Sequence, residues 1–219
     1  MSNNISKDTK ILVERYLVAA CNLYAIVPLS KILSIYNSQN EPISEKDFLS
    51  IIDTIDLKNT YYDIIGEDVF YDDVDKTASI DRDLIADHLL MDEDFEDYYR
   101  MKDEQFGKDY YVPDKEQFLK YEDQFYHEKT LSFISLRTFF RSQPNLTRER
   151  ADEITEDIYG MVNVLDGEIL KVVNFIEEMR YFEFNFDTFN EFAQLYVDMY
   201  NDTRLNFNRG FTPREMYER

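Results

Sequence analysis

The chain has 219 residues and carries 45 Asp and Glu against 24 Lys and Arg, a formal charge of −21. A surface so acidic repels phosphate backbones and attracts basic proteins or metal cations, so direct nucleic-acid binding is not expected. With 44% hydrophobic and 16% aromatic residues the chain is too apolar for disorder, and its 5 Gly and 5 Pro favour helices over a turn-dense all-β fold.

Cys21 is the only cysteine, which excludes an intrachain disulfide and any zinc site built from a Cys cluster. It lies in the apolar helical run VAACNLYA and reads as a buried small hydrophobe. The segment MSNNISKDTK is polar and lacks a signal-peptide pattern. The longest apolar stretch, Leu17 to Leu29, is broken by Asn22, Tyr24 and Pro28 and is too short to span a bilayer. A cytoplasmic protein with no membrane partner is expected.

In chain order, Ile11, Leu12, Tyr16, Leu17, Ala20, Leu23, Tyr24 and Val27 recur at helical spacing and predict a first amphipathic helix. Pro28 suits the first turn of a second, carrying Leu29, Ile32, Leu33 and Ile35. Ser44 is placed to cap a third with Phe48, Leu49, Ile51, Ile52 and Ile55. Two β-prone runs, Tyr61 to Ile65 and Val69 to Tyr71, flank Gly66-Glu67-Asp68 and predict a β-hairpin. Three helices followed by a hairpin outline a winged-helix domain, whose third helix commonly enters the major groove of DNA. Here that helix and its cap carry Glu45, Asp47, Asp53 and Asp56 against Lys46 and Lys58, and the hairpin carries five Asp and Glu with no basic residue. The charge therefore argues for protein contact or a structural use of the shape.

Beyond it, a loop and a short helix are expected around Leu84, Ile85, Leu89 and Leu90, then a helix from Asp92 to Phe106. Tyr110 to Val112 read as extended before Pro113. Asp114 caps a helix holding Phe118, Tyr121 and Phe125. Leu131 to Phe140, Arg148 to Val162 (capped by Thr147), Ile169 to Tyr181 and a last long helix capped by Asp187 or Asn185 complete the pattern. Gly210 is placed to stop that helix or its extension, and Thr212-Pro213 opens a final turn. The fold class expected is mainly α: a winged-helix-like part over 1–75, an acidic aromatic connector over 76–127 and a helical bundle over 128–219.

The stretch Tyr61 to His127 concentrates 21 Asp and Glu, 7 Lys and Arg and 14 of the 34 Tyr and Phe residues. Acidic and aromatic at once, it should fold against a core and present charge outward. Asp72, Asp73, Asp92, Asp94, Tyr98 and Tyr99 are its candidate interaction residues, because Tyr is enriched at interfaces. The carboxylate clusters suit Mg²⁺ or Ca²⁺ chemically, yet none has the spacing of a folded calcium loop, so no metal ligand and no cofactor is assigned. His88 and His127 lie 39 residues apart outside any metal-ligand pattern and read as surface or boundary residues. No nucleophile elbow, phosphate loop or dinucleotide fingerprint occurs, and no catalytic residue is assigned.

The C-terminal segment contains Asn201, Thr203, Arg204, Leu205, Asn208, Gly210, Thr212, Pro213 and Glu215, with three Arg within eleven positions. It resembles the N-x-T-R-L-x-x-N-x-G-x-T-P-x-E segment of a group of uncharacterised proteins of Gram-positive bacteria. In many of those it precedes a SEC-C zinc-binding tail. The resemblance extends to VERYLVAACNLYAIVPL, YYDIIGEDVFYDD and RERADEITEDI. The SEC-C tail is Cys-rich, and a sequence with one Cys contains none of it, so neither its zinc site nor its partner binding is carried over. The expected function is a non-enzymatic acidic interaction module for a basic protein partner or a second copy. The alternatives are a carboxylate-based metal-binding protein or enzyme, and a DNA mimic whose carboxylates imitate phosphates.

Overall fold

A computed structural model describes residues 5–71, 75–164 and 168–218. By contact the chain groups into two units: residues 1–126 with 206–210, and residues 127–205 with 211–219.

The first unit is organised on helix α1 (Lys7–Tyr24). Ser6 caps it, its hydroxyl accepting from the Thr9 N–H at 3.0 Å. Val13, Tyr16, Leu17, Ala20, Leu23 and Tyr24 form a stripe three and four residues apart, and all are buried. Burying each of the larger ones stabilises the unit by roughly 1.5–3 kcal/mol. Strand β1 (Ile26–Pro28) follows, then α2 (Leu29–Gln39) and α3 (Glu45–Ile52), the last capped by Ser44 through the Asp47 N–H. Strands β2 (Tyr62–Ile65) and β3 (Asp83–Ala86) complete an antiparallel sheet of order β1-β3-β2. Helix, strand, two helices and two strands, with the last strand central, is a winged-helix-like topology.

The register corrects one expectation. Tyr62 pairs with Ala86 and Ile65 with Asp83, so the partner of β2 is Asp83–Ala86. The run expected as the second hairpin strand forms a 3-10 turn, Glu67–Val69. Gly66 has φ −85°, outside the positive region that a tight hairpin turn requires. Val69 is 64% exposed, whereas all four residues of β3 are buried. A central strand needs two apolar faces, which Leu84, Ile85 and Ala86 supply and Val69 to Tyr71 do not. Leu84 and Ile85 are therefore strand residues, and only Asp87–Leu90 turns helically.

Helices α4 (Glu96–Gln105) and α5 (Lys115–Lys120) also belong to the first unit. Helix α4 starts four residues later than expected, because Phe95 takes a left-handed conformation with φ 53°. The stretch expected as a connector thus supplies the central strand and part of the core: Tyr98, Phe118 and Tyr121 are buried in the same cluster as α1.

The second unit contains α6 (Leu131–Arg141), α7 (Arg148–Val164), α8 (Ile169–Glu178), α9 (Phe186–Asn201) and α10 (Pro213–Tyr217). Phe133, Leu136 and Phe140 of α6 are buried, as are Ile154 and Ile158 of α7 and Phe192, Tyr196 and Met199 of α9. Asn185 closes the N-terminus of α9 with a reciprocal cap to Thr188, at 2.9 Å in each direction. No helix among the described residues is long and apolar enough to cross a membrane.

Candidate functional site

On a winged-helix unit the natural working surfaces are the third helix and the loop between the last two strands. Helix α3 presents Glu45, Lys46 and Ser50 outward, and Asp53 and Thr54 are exposed just beyond it. The loop after β2 is pinned by reciprocal bonds: the Thr77 N–H donates to the Asp68 carboxylate at 3.1 Å, and the Asp68 N–H donates to the Thr77 hydroxyl at 3.3 Å. Hydrogen bonds to its carboxylate from the Thr77 side chain first, and then from the Thr77 backbone, hold the Asp68 carboxyl below its ordinary pKa, so it keeps its negative charge. Asp72 and Asp73 lie outside the described residues.

Asp92 and Asp94 are exposed, with Glu93, in the turn before α4. Tyr98 is fully buried and stacks on Phe70 with ring centroids 4.1 Å apart, so it is a core residue and not a surface contact. Tyr99 is half-buried, its hydroxyl donating to the Phe70 carbonyl at 2.9 Å. Both rings face the core because α4 packs its apolar side inward, leaving the carboxylates of this stretch outside together with Met91 and Arg100.

Beneath that surface lies an ionic cluster. Lys102 of α4 donates to Asp83 of β3 and, at 2.9 Å, to Glu67. The Asp83 side chain is only 4% exposed. Burial raises its pKa against the pull of Lys102, while burial of the ammonium is outweighed by Asp83 and Glu67, which hold Lys102 above its ordinary value.

The first unit also contains a cavity of about 360 Å³. The Asp87 N–H donates to the Tyr61 carbonyl at 3.0 Å, and the Ala86 N–H to the Ala25 carbonyl at 2.9 Å, which extends the sheet ladder into its wall. Around it stand the side chains of Asn22, Tyr61, Asp87, His88, Met91 and Gln124. Burial and the neighbouring Asp63 raise the pKa of Asp87, and partial desolvation lowers that of His88, which lies at the surface as expected. Cys21 also reaches the cavity, but burial pushes its thiol up to about 12, so it is not a nucleophile at neutral pH. No group of three or more His, Cys, Asp or Glu among the described residues is placed to hold a metal ion. His127 is buried against Tyr159, with ring centroids 4.2 Å apart, and its Nε2 lies 3.3 Å from Glu156; the expectation of a surface or boundary position is corrected for this residue.

The C-terminal motif is absorbed by architecture. Asn201 ends α9, and the Thr203 hydroxyl donates to the Met199 carbonyl at 2.7 Å. Arg204 bonds Glu128 and Glu215, each at 3.0 Å. Thr212 and Glu215 form a capping box around Pro213 at the start of α10. Within the first unit, Asn208 accepts from Lys108 at 2.9 Å, and Gly210 packs its bare Cα against Leu23 and Tyr24. Replacing Arg204 with Met strands two carboxylates, and a loss of about 2 kcal/mol is expected in urea unfolding. Arg214→Ala, which removes an exposed pair with Asp202, should cost well under half as much.

Fold and surface together define a winged-helix-like unit with an acidic exterior, accompanied by a helical unit. Comparison with models of known families, with curated proteins and with solved structures found no match.

Proposed function

We propose that the chain is a non-enzymatic interaction protein of the cytoplasm, and that its winged-helix-like unit binds a basic protein. The observation that carries this reading is the composition of the two surfaces such a unit normally offers to DNA. Asp and Glu outnumber Lys and Arg on α3 with its flanks, and Asp68, Asp92, Glu93 and Asp94 extend the acidic character. Nucleic acid requires the opposite sign, because phosphate contacts supply most non-specific affinity. A basic protein is steered by this field and then held by the apolar groups exposed within it, of which Met91 is 79% exposed and Phe125 79%. The resemblance of the C-terminal motif to bodies that precede SEC-C tails belongs to the same proposal: the body would be the interacting part.

Salt dependence tests the reading. The chain immobilised on a support should retain a Lys/Arg-rich protein at low ionic strength, release much of it as the Debye length falls to roughly 3 Å near 1 M salt, and lose retention when Asp92, Glu93 and Asp94 become Asn, Gln and Asn. Failure to retain any basic protein at low salt overturns the proposal. Retention of a second copy in its place identifies self-association as the use of the surface.

A further inference from the structure

We infer that the cavity beside β3 seats an arginine side chain of the basic partner. This inference deepens the function just proposed and rests on it. The residues lining the cavity include one carboxylate, Asp87, the amide of Gln124 and the Tyr61 ring, with Asn22 held in the wall. Among the described residues no Lys or Arg lines it. Asp63, and beyond Tyr61 also Asp123, add negative charge nearby, while Glu122 is paired to Arg15 at 2.5 Å. A planar guanidinium suits this set: it can donate two parallel N–H bonds to a carboxylate, lie against an aromatic face and pack its stem on a thioether.

Shape supports a side chain over a free metabolite. At about 360 Å³ the cavity is at the small end of ligand pockets. Met91, 79% exposed, and Tyr61, 39% exposed, stand on its lining, so an apolar and an aromatic side chain border the polar groups. An aromatic and apolar surround around a pocket for one Arg is the usual build of an interface hot spot. The walls are fixed before binding: Asn22 donates to the Tyr121 carbonyl at 2.7 Å, and Asn206 donates to the Asn22 carbonyl at 3.0 Å. A partly buried carboxylate whose pKa is raised by burial and a like charge gains most from an incoming cation.

The test is calorimetric titration of the full chain with a synthetic Arg-containing basic peptide, the same peptide with citrulline for Arg, and free arginine. The expected result is binding of the Arg peptide that weakens about tenfold in Asp87→Asn and at least as much with citrulline. Glu93→Gln, an exposed acid in the turn before α4, should weaken it less than about threefold. Met91→Lys places a cation at the rim and should also weaken binding, which covers the case of a poorly folded Asp87→Asn. Equal weakening by Asp87→Asn and Glu93→Gln, with Met91→Lys neutral, overturns the arginine pocket and leaves the acidic surface reading intact. Absence of binding by any basic peptide overturns both. Free arginine binding as tightly as the peptide overturns the assignment to a protein partner.

Discussion

Lys102→Met should destabilise the first unit by about 3 kcal/mol at neutral pH, read as a lower urea midpoint. The variant keeps the aliphatic stem and removes the ammonium that serves both Asp83 and Glu67. Glu67 is substantially exposed and turns to water at little cost. Asp83 cannot, since its side chain is 4% exposed at one end of the central strand. The deficit should shrink with acid. Asp83 already has a folded pKa above its unfolded value, and losing Lys102 raises it further. Between the two values the folded state binds more protons, so stability falls as pH rises and recovers as pH falls. The variant should therefore regain stability as pH falls toward the unfolded carboxyl value of about 4. In the parent chain the Lys102 contribution is present below the unfolded lysine value of about 10.4 and is lost as pH rises through the folded one. Pairing the change with Asp83→Asn should restore a large part of the loss, because no buried charge is then left alone. A deficit in Lys102→Met that is flat with pH would assign it to packing.

Gly210→Ala should cost about 3 kcal/mol, from two separable sources. The backbone at Gly210 has φ +82°, in the left-handed region where an L side chain is strained by roughly 1–2 kcal/mol. An added Cβ would also sit 3.1 Å from Leu23 and from Tyr24 of α1, which are buried and have little room to retreat. Gly107 separates the terms. It has φ +73°, and a Cβ there meets nothing within 4 Å. Gly107→Ala should therefore show the conformational cost alone, about 1 kcal/mol. Equal losses at the two positions would remove any role for close packing of residues 206–210 on α1.

Local features of the fold were readable in the sequence because their causes are local. Ser44, Asp114, Thr147 and Thr212 each satisfy the backbone donor three residues ahead and cap the helix expected of them, and of the two caps open for α9 the residue that does so is Asn185, not Asp187. Periodicity likewise located most of the buried faces of α1, α6 and α9, although Ile11 is 45% and Ile134 37% exposed and Val27 lies in β1. What escaped depends on distant residues. The partner of β2 begins only at Asp83, well beyond the end of β2 at Ile65, and a nearer β-prone run competed for the same role. Residues 206–210 group with the first unit although they follow α9; buried Asn206 and Asn208 were a signal, since polar side chains inside a core require partners. The cavity draws Asn22 from α1, Asp87 from the end of β3, Gln124 from beyond α5 and Asn206 from near the C-terminus, so no local pattern announces it. The aromatic part of the interaction expectation failed at Tyr98 because an amphipathic helix points its rings inward, and composition alone carries no direction.

The central claim is that a winged-helix-like unit here serves a basic protein and not nucleic acid. The most direct measurement is a fluorescence anisotropy titration of the chain against labelled duplex DNA and against a labelled Lys/Arg-rich peptide, in matched low-salt buffer. The account predicts saturable binding of the peptide, weakened by salt and by Asp87→Asn, with no binding of the duplex. Saturable binding of the duplex in preference to the peptide would contradict it.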